Sequence, residues 1–344
     1  MDPLVSILIP AFNAAPWIVD TIRSALGQTW ERKELIIVDD GSTDRTLSLA
    51  QQFASPQVSV VSQVHQGAAA ARNAALSLSQ GDYIQWLDAD DLLAPDKIAR
   101  QLEALRACRT ERPLLSCEWG HFLYRPRATV FAPTSLWCDL CPLEWLVRKL
   151  EQNLFMSCAT WLVSRRLMDS AGPWDTRLSV DDDGEYFCRV LLASDGTQFV
   201  PHARAYHRRV AGSMSTLRRS NRNLESQLLS MELHIAYIRS LDDGETVRRA
   251  CLKYLQRWLI YFYPERRDMV GRLQRLAQTM GGQLEDPRLS WKYRWIQQTF
   301  GWGAAKQAWY WVPKLRLAAS RYWDKILFEL ETRIGAQPNR IAQP

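Results

Sequence analysis

The chain has 344 residues, 47% of them apolar and 23% charged, with a formal net charge of +6. That balance suits one large or two ordinary domains with real cores and excludes disorder of the whole chain. The charge is uneven: residues 1–215 carry 21 basic and 25 acidic side chains and residues 216–344 carry 22 and 12, so an acidic front and a basic back are expected to meet different partners.

The start, Met1-Asp2-Pro3-Leu4, lacks a basic segment leading into a long apolar one, and no run of about 18 uncharged apolar residues occurs in the sequence. Neither a cleaved signal nor a membrane span is expected. Seven scattered cysteines do not resemble a disulfide framework and suit a reducing cytoplasm. Cys138 and Cys141 form a C-x-x-C, but without a second pair at zinc-site spacing they read as incidental or core residues.

In chain order, residues 5–10 read as a strand, 17–28 as a helix and 35–39 as a strand. A helix follows from Asp44, a strand at 58–62, a helix from Gly67 and a strand at 83–88. This alternation predicts a mostly parallel sheet covered by helices. Ser42 or Thr43 is expected to cap the helix from Asp44. Pro95 opens a helix over 96–107, with Ile98, Leu102 and Leu105 on one face. Residues 114–119 and 160–164 read as strands joined by a Pro-interrupted connection without an assigned structure. Beyond Thr216 only helical patterns remain. One stripe joins Val247, Cys251, Tyr254, Leu255, Trp258, Leu259 and Phe262; a second joins Leu315, Ala319, Tyr322, Trp323, Ile326 and Leu330.

Two acidic clusters stand where apolar strands stop: Asp39-Asp40-Gly41-Ser42-Thr43-Asp44 and Asp88-Ala89-Asp90-Asp91. In an open α/β sheet the ligand crevice lies beyond the carboxyl ends of the strands. Carboxylates two residues apart can hold a hard divalent cation together with substrate phosphates; the other reading is that Asp90 or Asp91 caps the next helix. Gly41 leaves room for a ligand beside Asp39. There is no G-x-x-x-x-G-K-[ST] and no G-x-G-x-x-G after the first strand, so phosphate charge would be met by metal more than by a glycine cradle.

The ordered set Val5-Ser6-Ile7-Leu8-Ile9-Pro10-Ala11-Phe12-Asn13, Ile36-Ile37-Val38-Asp39-Asp40-Gly41-Ser42-Thr43-Asp44, Gly67 with Ala71-Arg72-Asn73, and Leu87-Asp88-Ala89-Asp90-Asp91 resembles the family 2 inverting glycosyltransferases of the GT-A fold, over about the first 215 residues. The resemblance implies that Pro10, Phe12 and Asn13 sit by the nucleotide, with Phe12 where the family more often has Tyr. It further implies that Asp39 binds the base, that Arg72 and Asn73 line the donor pocket, that Asp88 contacts ribose or sugar, and that Asp90 binds Mg²⁺ or Mn²⁺ on the diphosphate with Asp88 and Asp91 beside it. A cation there would stabilise the departing nucleoside diphosphate.

Gly172-Pro173-Trp174-Asp175 with Asp181-Asp182-Asp183-Gly184-Glu185 is similar to the family's acceptor segment. Aligning Arg189 with the arginine that closes that motif puts the acidic pair at Asp182 and Asp183, with Asp183 as general base; a helix start enriched in acids is the structural alternative. Tyr206-His207-Arg208-Arg209 followed by Gly212-Ser213-Met214-Ser215 resembles the closing segment of these domains. The family's histidine would fall at Val210, which leaves His207 as a metal ligand or phosphate contact from a shifted register, or as a structural histidine.

Seven of the fifteen tryptophans fall after residue 216, among them Trp291, Trp295, Trp302, Trp309 and Trp311, beside Lys292, Arg294, Lys306 and Lys314. Such a tail either packs its stripes on the catalytic domain or a second subunit, or makes a peripheral membrane contact; no nucleic-acid signature accompanies it. The expectation is an α/β protein of GT-A type: a mostly parallel sheet sandwiched by helices in residues 1–215, with a basic, Trp-rich helical extension in 216–344. It implies a cytoplasmic, metal-assisted transferase moving sugar from a nucleotide-sugar donor, foremost a UDP-sugar, to a hydroxyl of a glycan or lipid-linked acceptor. The rivals are a sugar nucleotidyltransferase and a non-catalytic sugar-nucleotide-binding scaffold, and the sequence leaves the oligomeric state open.

Overall fold

A computed structural model describes residues 2–108, 110–209 and 220–333. The first half alternates as expected: β1 (Val5–Ala11), α1 (Ile18–Leu26), β2 (Lys33–Asp39), α2 (Thr46–Gln51), β3 (Val58–Ser62), α3 (Ala68–Leu78) and β4 (Tyr83–Trp86). Then come β5 (Leu92–Leu93), α4 (Lys97–Arg106), β6 (Pro113–Phe122), α5 (Pro142–Gln152), β7 (Val163–Ser164), α6 (Arg165–Ala171), α7 (Asp182–Ala193) and β8 (Gly196–Arg208). Four helices follow: α8 (Asn221–Leu241), α9 (Glu245–Phe262), α10 (Arg267–Thr279) and α11 (Trp291–Arg333), the last broken at Gly301 (φ 81°, ψ 173°).

The main sheet has the order β3-β2-β1-β4-β7, parallel except for β7. Register puts Ala11 beside Asp39 and Asp39 beside Ser62, so three strands end level and their loops share one rim. Both faces of these strands are covered, which is why their sequences read as unbroken apolar runs. Ile7, Ile9, Leu35 and Ile37 pack with α1 and α4, whereas Leu8, Ile36 and Val38 join α3, α5 and α7 on the other side. A smaller sheet, β5-β8-β6, carries Asp91 toward His207 through the pairing of Leu92 with Tyr206.

Three local expectations are corrected. Neither Ser42 nor Thr43 caps α2: Asp44 Oδ1 accepts from the Thr46 N–H at 2.9 Å, while Ser42 Oγ accepts from Asn13 N at 3.0 Å. The Pro-interrupted connection contains α5, opened by Pro142, buried through Trp145, Leu146 and Leu150, and closed by Asn153 at φ 54°. The long strand β8 was not expected; His202 (φ 66°) and a register shift at Cys117/Glu118 break its alternation.

The first carboxy-terminal stripe is core. Val247, Cys251, Tyr254, Leu255, Leu259 and Phe262 merge with Leu228, Met231 and Ile235 of α8 into the same apolar cluster as Leu8 and Trp86. The second stripe is not: Leu315, Tyr322, Trp323 and Leu330 are exposed. Among the described residues no helix is long and apolar enough to cross a membrane.

Candidate active site

At the level ends of β1 and β2, Asp39 is 1% exposed; its Oδ2 accepts from Ser42 N at 3.1 Å, and its buried Oδ1 has no hydrogen-bond partner among the described residues. A buried acceptor left open this way is costly unless something else donates to it. Asp40 instead ties down the loop before α3, accepting from Gln66 N at 2.9 Å and Gly67 N at 2.8 Å. Gly41, at φ 70°, is required because a Cβ would come within 2.8 Å of His65 N. Phe12 is 45% exposed and stacks on the His65 ring, centroids 4.2 Å apart at 25°, making a flat apolar surface at this rim.

Asn13, at φ 48°, accepts from Thr43 N at 2.9 Å and so fixes the Gly41–Thr43 turn. Pro10 pairs in register with Val38 at the same end of the sheet. Asn73 is also occupied, exchanging two hydrogen bonds with the Trp174 backbone (3.0 and 2.8 Å) and pinning the segment after Gly172 to α3.

Arg72 is the hub. Its buried guanidinium lies under the Trp174 ring at 4.4 Å, with Nη2 2.8 Å from Asp88 and Nη1 2.6 Å from Asp182. Burial works against charge on Asp88, but Arg72 and a hydrogen bond from Cys158 outweigh it and hold the carboxyl below its ordinary range.

The other two acids of this cluster have separate fates. Asp91 is fully buried, accepting from Arg208 N at 2.9 Å and facing His207 Nδ1 at 3.0 Å. Burial opposes charge on His207, yet Asp91, Asp90 and Asp88 raise its pKa to about 9. Asp90 is half-buried, and burial together with Asp91 and Asp88 pushes it up to about 8. It is the acid of the three in greatest need of positive charge. Among the described residues no group of three His, Cys, Asp or Glu side chains is arranged to hold a metal: Asp88 is engaged by Arg72 and His207 by Asp91. The donor chemistry fits a hard cation at Asp90, aided by substrate oxygens.

At the start of α7, Asp181 (φ 56°) accepts from Ser230 Oγ at 2.5 Å, and Glu185 pairs with Arg189 at 2.7 Å while accepting from Tyr237 OH at 2.7 Å. Arg189 therefore serves Glu185 and not the acidic pair. Asp182 goes to Arg72. Asp183 has no ion-pair partner among the described residues; it accepts from Gly184 N at 2.8 Å, and burial plus Asp182 and Asp181 push it up to about 7.

The structure thus joins Arg72, Asp88 and Asp182 directly, sets Asp183 beside them, and brings Asp90, Asp91 and His207 to the adjoining strand end. Val210 and Gly212-Ser213-Met214-Ser215 lie outside the described residues. His65 and Cys158 were missed as contributors and reach the site through tertiary contact; Trp174 and Arg208 stand within the sequence motifs, which assign neither a role.

Residues 6–111 match the family model described as glycosyl transferase family 2. The chain is similar to TuaG of Bacillus subtilis (strain 168), named as a glycosyltransferase of teichuronic acid biosynthesis: 44% identity over 171 residues, 47% of this chain and 63% of that protein. It is also similar to an Escherichia coli protein named UDP-Glc:alpha-D-GlcNAc-diphosphoundecaprenol beta-1,3-glucosyltransferase WfaP, 41% identical over 100 residues, 29% of this chain and 40% of the other. The chain thus spans less than two thirds of either relative. Among solved structures, residues 1–349 of S. aureus TarS in complex with UDP-GlcNAc superpose with a TM-score of 0.65 at 17% identity, covering 80% of this chain and 81% of that one. At that identity the likeness is one of fold, the GT-A type.

Proposed function

From the match of residues 6–111 to glycosyl transferase family 2, we propose that the chain transfers a sugar from a nucleoside-diphosphate donor to an acceptor hydroxyl with inversion. The observation that carries this reading is the Arg72 bridge between Asp88 and Asp182, which leaves Asp183 beside it with an elevated pKa and no ion-pair partner among the described residues. A carboxylate destabilised by burial and by its neighbours is a better base, and a single in-line displacement needs one base on the acceptor side. Asp183 takes the acceptor proton; Asp182 is held away from that task by Arg72.

The nucleotide lies at the rim of β1 and β2. Asp39 Oδ1 accepts from an N–H of the base, Phe12 with His65 offers the stacking surface, and Pro10 and Asn13 shape the turn beside it. Arg72 and Asn73 build the pocket wall rather than reach into it. Mg²⁺ or Mn²⁺ at Asp90, near Asp88 and His207, would offset the charge that develops on the leaving diphosphate.

UDP-sugars are the first donors to test, given the donors named for two of the similar proteins. The acceptor is read as a glycan or lipid-linked glycan met at the cytoplasmic face of a membrane. Incubating the protein with a panel of nucleotide sugars and acceptors, with Mg²⁺ or Mn²⁺ and with a chelator, tests the proposal. Diphosphate release that needs both acceptor and metal is expected. Absence of turnover across the panel, with nucleotide binding intact, would overturn it in favour of a binding protein.

A further inference from the structure

The helix α11 docks on the rest of the molecule by its polar side. Asp324 accepts from Tyr124 N at 2.8 Å and from Arg125 Nε at 2.7 Å, and Glu331 accepts from Arg125 Nη1 at 2.8 Å. Phe328 meets Tyr124 with centroids 6.2 Å apart, and Arg321 donates to the Arg209 carbonyl at 3.3 Å. At about 100° per residue, these four positions fall on one face. Trp311, Leu315, Tyr322, Trp323 and Leu330 fall around the opposite face and are between 47% and 67% exposed. An amphipathic helix of a globular protein ordinarily buries its apolar stripe; this one turns it outward and is held that way by half-buried ion pairs.

The charge around the stripe identifies what covers it. Residues 291–333 carry eight basic and three acidic side chains; Lys306 is buried against Glu265 and Arg321 belongs to the docked face, so the basic excess around the stripe comes from the others, Lys314, Arg316 and Lys325 among them. Two of those acids are engaged with Arg125, and the third, Glu329, lies 3.8 Å from Lys325. A second copy of the chain would bring one basic rim against another. An anionic bilayer supplies the opposite charge, and tryptophan and tyrosine rings suit headgroup depth.

We propose that the outward face of α11 is a docking surface for anionic phospholipid, held in a fixed orientation on the catalytic body by Arg125. The anchoring residues follow β6, whose last turn of sheet pairs with His207 and Arg208 of β8, so the surface stands on the same rim as the Asp90 cluster. This assignment rests on the reading of a transferase with a lipid-linked acceptor for its purpose, and on the helix alone for its geometry.

The test is cosedimentation of the full chain with vesicles of phosphatidylcholine alone and of phosphatidylcholine with 30–40% phosphatidylglycerol, roughly the anionic range in which basic amphipathic surfaces bind. Pelleting with the anionic vesicles is expected, weakened by salt and lowered at least about tenfold by the Leu315→Glu/Trp323→Glu double substitution on exposed positions, with the circular dichroism unchanged. Failure of the unmodified chain to pellet would overturn the proposal. So would a concentration-dependent dimer in sedimentation velocity that the same double substitution abolishes. Asp183→Asn is expected to lose turnover and pellet normally, so the catalytic and lipid readings fail separately.

Discussion

Arg72 lies 2.6 Å from Asp182, a residue 110 positions further along the chain. Through its other nitrogen it reaches Asp88 just beyond β4, so one guanidinium joins that strand end to the helix that bears Asp182 and Asp183. The planar fork, with two nitrogens pointing apart, suits this double duty better than the compact ammonium of a lysine.

Arg72→Met should therefore cost stability and activity together. Stranding a buried acid costs about 3–5 kcal/mol, read as a lower urea midpoint, and the turnover number should fall by about two orders of magnitude, about 2.7 kcal/mol of barrier. Adding Asp182→Asn should restore part of the stability and none of the activity. Recovery of both would mean that Arg72 is only a structural pin.

As the proposed base, Asp183 should set the pH profile. It must then be ionised, and its pKa is raised to about 7 by burial and by Asp182 and Asp181. The turnover number should then rise with pH through about 7 and level off above it. Asp183→Asn should lower turnover by roughly 10²–10⁴ and erase that rising limb, while nucleotide affinity by calorimetry stays unchanged. A variant that keeps the limb would move the base elsewhere.

The open oxygen of Asp39 predicts a binding defect. A hydrogen bond to a charged acceptor contributes about 1.5–3 kcal/mol, so Asp39→Ala should weaken UDP binding by roughly 10- to 150-fold. Phe12→Ala should add a smaller loss by removing the surface that His65 stacks against. With acceptor saturating and donor varied, the Asp39 change should appear in the donor KM more than in kcat. An unaltered affinity would show that the nucleotide lies away from this rim.

The parallel half of the fold was legible because its strands are buried on both faces and write themselves as continuous apolar runs ending in turn residues. Register then did the rest: once Ala11, Asp39 and Ser62 end level, the loops that follow must share a rim. The resemblance singled out Asp182 and Asp183, but the residues alone do not tell the acids apart: Asp181, Asp182, Asp183 and Glu185 look alike in sequence, and their partners, Ser230, Arg72 and Arg189, are set by the fold. The strand β8 escaped for a different reason, since its bulge breaks the period of two that marks a strand. The outward stripe of α11 has the pattern of a core helix, and nothing in the pattern reveals that Arg125 claims its polar side.

His234 makes acid sensitivity measurable in the helical region. It is buried between α8 and α9, with Nδ1 3.2 Å from Tyr254 OH and a buried Nε2 that has no partner among the described residues. Burial, aided by Lys149, lowers its pKa from 6.5 to about 4. Between those values the unfolded chain binds a proton that the folded chain refuses, so stability falls as pH drops from about 6.5 and this contribution is exhausted below about 4. The shift corresponds to about 3 kcal/mol. His234→Gln can keep the contact with Tyr254 without taking a proton. Urea denaturation at pH 7.5, 6.5, 5.5 and 4.5 should therefore show the unmodified chain losing stability faster than the variant, the gap widening toward acid. Parallel curves would mean that His234 becomes protonated without opposition in the folded chain, and would remove the buried neutral imidazole from this account.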